Sequence, residues 1–110
     1  NGNMEEKDIV KALAALAQPN RLQLFRQLVV AGQEGATPGQ LGEQLGIANA
    51  TLSFHLKELL NASLVSQERS GRNLIYRAEF GRMNGVLSYL TDNCCQGQPC
   101  LDAAAVSCGC

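Results

Sequence analysis

The sequence has no cysteine over most of its length and no long apolar run. Its first 93 residues contain no cysteine, so disulfides cannot hold the core of this part of the chain. No apolar run approaches the roughly 20 residues that a membrane-spanning helix needs. Residues 4–17 are acidic and amphipathic, unlike a secretory signal, and we therefore expect a cytoplasmic protein. Asn1-Gly2-Asn3 precedes Met4 and is interpreted as vector-derived.

Histidine is almost absent, which argues against an enzyme. His55 is the only histidine, and the sequence places no second group to activate a nucleophile. A formal net charge of -1 and 45% hydrophobic residues exclude a disordered or uniformly basic chain. With 110 residues, the chain is expected to form one domain with a modest core that dimerisation would stabilise.

The small net charge conceals a local excess of positive charge. Residues 48–78 carry four basic and two acidic residues, a net charge of +2. Residues 79–110 carry one basic and three acidic residues, a net charge of -2. Because phosphate binding follows the local field, any nucleic-acid contact is expected in the middle of the chain.

Apolar periodicity and capping residues predict five helices and one hairpin. The helices are expected over residues 5–17, 19 to about 31, 38–46, from 48 or 49 onward, and from about 80 to 92. Thr37 is expected to cap the third helix and Gly46 to end it. Two strand-like runs, 64–70 and 73–79, flank Gly71 and Arg72 and predict a compact hairpin. The predicted fold class is mainly α with a small β-hairpin, in the order α-α-α-α-β-β-α.

Leucine spacing predicts which helical faces are buried. On the second helix we expect the inward residues to be Leu22, Phe25, Leu28 and Val29. The last helix presents Met83, Val86, Leu87 and Leu90. The fourth helix has a leucine face made of Leu52, Leu56, Leu59 and Leu60.

Two short helices joined at Gly46 and followed by a basic hairpin indicate a winged helix-turn-helix. In that motif the second helix enters the major groove of DNA, and the hairpin, or wing, touches the flanking backbone. Small polar side chains suit the groove, and the set expected to be exposed is Asn49, Thr51, Ser53 and His55. The alternative is an ordinary α+β domain with a solvated helix face.

Residues 12 to about 90 resemble the ArsR/SmtB family of winged-helix repressors. The resemblance rests on the segment AQPNRLQLFRQL, on the run SFHLKEL from Ser53 to Leu59, on Leu64-Val65 and on the wing from Arg69 to Arg72. It implies a homodimer joined mainly by the first and last helices. It also implies that the protein binds operator DNA without ligand and leaves it when a metal or metalloid binds.

The resemblance also implies DNA-contacting residues. By position, Ser53 and His55 should contact bases, and Thr51 and Lys57 bases or phosphates. The DNA backbone should be contacted by Arg69 and Arg72. Each group has a simpler alternative: His55 packs or caps a helix, and the two arginines merely keep an edge hairpin soluble.

Two family patterns are missing from this sequence. Arsenic repressors of the best-known type carry paired cysteines in the helix that precedes the recognition helix. The corresponding residues here, 37–46, read TPGQLGEQLG and contain no cysteine. The zinc-type pattern of Asp and His ligands on the last helix is absent too, since His55 is the sole histidine. The resemblance therefore does not identify the effector.

The chain has a thiol-rich tail instead. All five cysteines lie in the last 17 residues: Cys94, Cys95, Cys100, Cys108 and Cys110. We therefore divide the chain into a DNA-binding and dimerisation domain, 4–93, and a sensing tail, 94–110. Thiolates are soft ligands, and a chain turned by Gly97 and Pro99 would bring Cys100 beside Cys94 and Cys95. Three thiolates suit a pyramidal ion, which favours trivalent arsenic, with antimony or bismuth as relatives; Cys108 and Cys110 are accessory.

Other effectors stay open at this stage. Four or five sulfurs would also hold zinc, cadmium or lead, since closed zinc sites are usually tetrahedral. Low-pKa thiols can instead oxidise and pair reversibly, which would make the tail a redox switch. Cys94 and Cys95 alone would suffice for a monomethyl arsenic species. No organic cofactor is expected, and a simple metal buffer would leave residues 37–78 without a role.

Overall fold

The structure, a computed structural model, describes residues 5–91, so the five cysteines lie outside the described residues. Five helices and one antiparallel hairpin follow in the predicted order, which confirms the fold class. The elements are α1 (Glu6–Leu16), α2 (Pro19–Ala31), a 3-10 turn (Gly32–Glu34), α3 (Pro38–Leu45), α4 (Asn49–Asn61), β1 (Val65–Ser70), β2 (Asn73–Ala78) and α5 (Phe80–Thr91). Within residues 5–91, no helix has the length and apolar character needed to cross a bilayer.

The helix ends follow from local capping chemistry. Pro19 occupies the first turn of α2, where its missing N–H costs no hydrogen bond. At the start of α3, the Gln40 N–H donates to the Thr37 hydroxyl at 3.3 Å, and the Thr37 N–H donates to the Gln40 side chain at 2.9 Å. Gly46 ends α3 in the left-handed conformation that L side chains adopt at a cost. The predictions for Thr37 and Gly46 are confirmed.

The end of α4 directs the chain into the hairpin. Ser63 has a φ of 61°, and its N–H donates to the Leu60 carbonyl at 2.9 Å. The Leu64 N–H donates to the Leu59 carbonyl at 3.0 Å. These two bonds form a Schellman motif, which satisfies the last carbonyls of the helix and reverses the chain direction.

The hairpin is a regular two-stranded ladder running from the Val65–Ala78 pair to the Ser70–Asn73 pair. Gly71, at the first central position of its turn, has a φ of 64°, and Arg72 does not have a positive φ. This combination is the pattern of a type II′ turn, whose twist matches that of the strands. The turn places Arg72 at the tip of the wing.

The core lies between the first four helices and the hairpin. Its largest fully buried side chains are Leu24, Leu28, Leu41, Leu52, Leu56, Leu59 and Leu64. Phe25 and Leu28 on α2 are buried as predicted, whereas Leu22 is 46% exposed and Val29 only partly buried. The expectation for Leu22 was wrong because α2 turns the arc containing Leu24, Phe25 and Leu28 toward the core, and Leu22 lies beyond its edge.

A short connection that the sequence did not reveal joins the hairpin to the segment before α3. Ala36 and Tyr76 exchange two backbone hydrogen bonds, of 2.9 and 2.8 Å. The preceding residue, Gly35, has a φ of 69°. A Cβ on Gly35 would lie 2.5 Å from the Tyr76 carbonyl oxygen and 2.8 Å from side-chain atoms of Ile75 and Arg77. Only glycine fits this backbone crossing.

Gly35→Ala is therefore expected to destabilise the fold more than Gly32→Ala. Both glycines have φ near 66–69°, but a Cβ on Gly32 would meet no atom within 4 Å. The strained conformation should cost each variant about 1–3 kcal/mol, and overpacking should add about 1–3 kcal/mol for Gly35→Ala alone. Urea denaturation of both variants measures the difference, and equal losses would show that the crossing at Tyr76 can relax.

Candidate nucleic-acid interface

The helix-turn-helix consists of α3, the turn at Gly46–Ala48, and α4. Leu41 of α3 and Leu52 of α4 are fully buried in the common core. The Ile47 N–H donates to the Gly42 carbonyl at 3.1 Å, which ties the turn back to α3. The packing fixes α4 with its leucine face inward and its opposite face in solvent.

The solvent face of α4 carries most of the predicted contact residues. The predicted residues that are exposed there are Asn49, Thr51, Ser53 and Lys57. Phe54 is exposed as well, at 55%, and sequence reasoning missed it. The signal was available, because Phe54 follows Ala50 by four positions and precedes Lys57 by three, the spacing of residues on one helical face.

His55 does not belong to this exposed face, which corrects the sequence prediction. It is only 5% exposed, and its ring lies edge-on to the Phe54 ring with centroids 5.4 Å apart. It follows Leu52 by three positions and precedes Leu59 by four, so its Cα lies on the buried side of α4. A ring that is 5% exposed offers almost no surface to a base edge. The packing alternative describes His55 better than base contact.

The environment of the His55 ring favours its neutral form. Burial is the main cause that lowers the pKa of His55 below its ordinary 6.5; the positive charge of Arg21 lowers it further, and Glu58 opposes both effects. Its Nδ1 atom is buried and has no hydrogen-bond partner among residues 5–91. A proton added to this ring would place a charge among apolar side chains.

The stability of the fold is therefore expected to fall on mild acidification. With a folded pKa below 6.5, the unfolded chain binds more protons, so His55 contributes its full stabilisation above pH 6.5 and loses it as the pH falls through the folded pKa. The unfolding free energy should decrease by at most about 1.4 kcal/mol per pH unit in that window. Urea denaturation between pH 7.5 and 5.5 measures the slope. His55→Gln should flatten it, and an unchanged slope in that variant would assign the effect to another group.

The start of α4 offers backbone donors to the same surface. Ala48 is the residue before the helix, and its side chain accepts no hydrogen bond from the first turn. The N–H groups of a first helical turn carry partial positive charge and point along the axis. Such a helix start suits a DNA phosphate as its acceptor.

The wing adds two exposed cations, Arg69 and Arg72, as the sequence predicted. A third arginine of the hairpin, Arg77, is used structurally. Its Nη1 lies 2.6 Å from Glu68 Oε1, and its Nε donates to the Gln33 carbonyl at 2.6 Å. Arg77 and Glu68 compensate each other, so the positive field of the hairpin comes from Arg69 and from Arg72 at the tip.

The predicted metal ligands all lie in the tail. Among residues 5–91, no three His, Cys, Asp or Glu side chains are grouped as metal ligands. The predicted ligands Cys94, Cys95 and Cys100, and the accessory Cys108 and Cys110, lie outside the described residues. Any thiolate site of this chain must use them, since the chain has no other cysteine.

Sequence comparison places the chain among bacterial regulators. Residues 16–68 match a family described as a helix-turn-helix domain. The chain is 33% identical over 81 residues to the arsenical resistance operon repressor of Bacillus subtilis (strain 168), covering 74% of this chain and 73% of that protein. It is 35% identical over 69 residues to the HTH-type transcriptional regulator NmtR of Mycobacterium tuberculosis (strain ATCC 25618 / H37Rv). That match covers 62% of this chain and 54% of NmtR, so the chain spans about half the length of this relative.

Structural comparison agrees with the fold. An ArsR-like transcriptional regulator from Rhodococcus sp. RHA1 superposes with a TM-score of 0.69, covering 76% of each chain at 24% sequence identity. At that identity the likeness shows the shared fold.

Proposed function

Because this chain belongs to the ArsR/SmtB family of winged-helix transcriptional regulators, we propose that it is an arsenic-responsive repressor. In this proposal it binds operator DNA as a homodimer in its ligand-free form. Trivalent arsenic, or antimony, then binds the cysteine thiolates of the tail and releases the DNA. The observation that carries the proposal is a thiol-free DNA-binding domain followed by five clustered cysteines.

The proposed DNA contacts follow from the exposed surface of α4 and the wing. Thr51 and Ser53 face solvent on α4 and suit base edges in the major groove, and the exposed Lys57 of the same helix suits a phosphate. Arg69 and Arg72 on the wing suit the phosphates beside it. Asn49 is the first residue of α4, whose first-turn N–H groups receive no side-chain cap, and it suits a contact near the phosphate at this helix start. In this proposal His55 does not contact bases, and its buried ring packs on the core side of α4.

The proposed dimer uses apolar residues that a single chain leaves in water. Val10 and Leu13 on α1 are 57% and 41% exposed, and Leu87 and Leu90 on α5 are 53% and 57% exposed. Each pair is spaced three apart, so its members share a helical face. The two helices pack against each other within one chain. A patch of this kind on a chain of this size is typical of a protein interface.

The proposed ligand follows from the donor set. Cys94, Cys95 and Cys100 supply only sulfur, and soft thiolates favour thiophilic ions over hard ones. Arsenous acid exchanges its three hydroxyl groups for three thiols and releases three water molecules, which leaves a neutral complex. One of the relatives is itself named an arsenical resistance operon repressor. Cadmium, lead or zinc, and thiol oxidation, are the alternative triggers on the same cysteines.

Release is proposed to act through α5. A neutral arsenic complex adds no charge that would repel DNA, so the ligand has to change the geometry of the dimer. Cys94 follows Thr91, the last described residue of α5, by three positions. At its other end α5 begins directly after β2, where the Glu79 N–H donates to the Leu64 carbonyl at 2.8 Å. A ligand that shifts α5 therefore acts on the helix between the tail and the wing, and it must favour the released form by several kcal/mol.

An electrophoretic mobility shift on the promoter of the protein's own operon tests the proposal. The ligand-free protein should bind a palindromic site, and arsenite or antimonite should release it. Cadmium, zinc and peroxide are added separately to the same complex. Release by peroxide but not by arsenite would replace metalloid sensing with redox sensing. If the protein does not retard the promoter fragment, it is not a repressor of that operon. If arsenite binds tightly but the DNA stays bound, the ligand assignment survives and the proposed release through α5 is wrong.

A further inference from the structure

One exposed side chain on α4 is out of place on a polar surface. Phe54 is the only large apolar residue exposed on this helix in the described chain, at 55%. Its neighbours on the same helical face are Ala50 four positions before it and the exposed Lys57 three positions on, and Glu58, four positions on, is only partly exposed. A protein-binding site would need a wider apolar patch around such a ring. The cation at Lys57 favours a phosphate-bearing partner instead.

The ring is also held in a defined position. It lies edge-on to the buried His55 ring, with the two planes inclined at 61°. His55 is packed in the core, so the Phe54 ring has one buried neighbour while most of its surface faces solvent. A phenylalanine side chain has only two rotatable bonds, so ordering it on binding costs less entropy than ordering a long flexible side chain.

The major groove of DNA presents one apolar group, the C5-methyl group of thymine, and phenylalanine is among the side chains that contact it. Phe54 is the sixth residue of α4, within the part of a recognition helix that reaches base edges. We propose that Phe54 is a specificity residue that contacts a thymine methyl group in each operator half-site. This inference rests on the proposed function, in which α4 enters the major groove.

Replacing operator thymines one at a time by deoxyuridine tests the contact, since this removes the methyl group and keeps the base pairing. At one position in each half-site, the wild-type protein should lose affinity by about three- to tenfold. Phe54→Ala should bind the thymine operator more weakly and should show no further loss at that position. Fluorescence anisotropy measures all four combinations of protein and DNA.

Lys57→Ala is the matched comparison on the same face. Lys57 is a proposed phosphate contact, so Lys57→Ala should weaken binding to operator and to unrelated DNA alike. The number of counterions released on binding, read from the salt dependence of the affinity, should fall by about one. The Phe54→Ala loss should appear on the operator alone. A thermal melt of each variant confirms that the exposed substitution leaves the fold intact.

The outcomes separate the two proposals. If the wild-type protein binds no operator, the proposed function fails and the role of Phe54 fails with it. If the wild-type protein binds but Phe54→Ala binds equally well, only the role of Phe54 is overturned. That role is also overturned if deoxyuridine weakens the variant as much as the wild-type protein at every position.

Discussion

Leu90→Glu is expected to convert the proposed dimer into a monomer that no longer binds its operator tightly. Leu90 is 57% exposed in the single chain, so the substitution should change the folding stability of the monomer little. In an interface, however, each carboxylate would be removed from water without a partner. The dimer dissociation constant should rise by about a hundredfold or more, which corresponds to about 3 kcal/mol. Sedimentation equilibrium measures the association, and a mobility shift measures the loss of operator affinity.

Val30→Glu is the control for this change. Val30 is 74% exposed on α2, where it lines a shallow groove together with Leu45 of α3, and it receives the same acidic side chain. This variant should remain dimeric. Leu13→Glu on α1 should reproduce the effect of Leu90→Glu, because both helices contribute to the proposed surface. A dimer unaffected by Leu90→Glu would place the interface elsewhere.

Single serine substitutions at Cys94, Cys95 and Cys100 are each expected to weaken the response to arsenite strongly. Each removes one of three proposed As–S bonds, so the arsenite concentration for half-maximal release should rise by about tenfold or more. Operator affinity without ligand should stay unchanged, because α4 and the wing carry the proposed DNA contacts. A mobility-shift titration of each variant measures both quantities.

A double Cys108→Ser, Cys110→Ser variant is the matched control, since it also removes thiols from the tail. It should respond to arsenite within about twofold of the wild-type protein if those residues are accessory. A normal arsenite response in Cys100→Ser would instead indicate a two-thiol site, which suits methylated arsenicals. Loss of response in the control would extend the site to the end of the chain.

The order and limits of the elements could be predicted from the sequence because they depend on local signals. Thr37, Gly46 and Pro19 each act within one helical turn, and all three have the roles expected of them. The Ala36–Tyr76 pairing could not be predicted in this way. It joins residues 40 positions apart through backbone atoms, and no sequence signal at either residue predicts the pairing.

The candidate site was predicted less well than the fold, and α4 shows why. The ring of His55 can contact bases, which favours a DNA role, although its spacing from Leu52 and Leu59 places it on the buried side. Phe54 escaped prediction because an apolar residue is not expected on a polar face. On a helix, angular position decides exposure, and chemical type decides function only among the exposed residues. The sensing role of the cysteines stays a prediction.

The Ala36–Tyr76 pairing has a mechanical consequence. Ala36 immediately precedes Thr37, the cap of α3, while Tyr76 lies in the middle of β2. The wing and the helix-turn-helix are thus fastened together at one seam, and Arg77 adds a second tie to Gln33. These bonds join the two parts, so in the proposed dimer each protomer would present its wing and its helix-turn-helix to DNA as one unit. In the proposed mechanism, the inducer would therefore change the spacing or tilt of the two protomers rather than separate the wing from the helix-turn-helix within one of them.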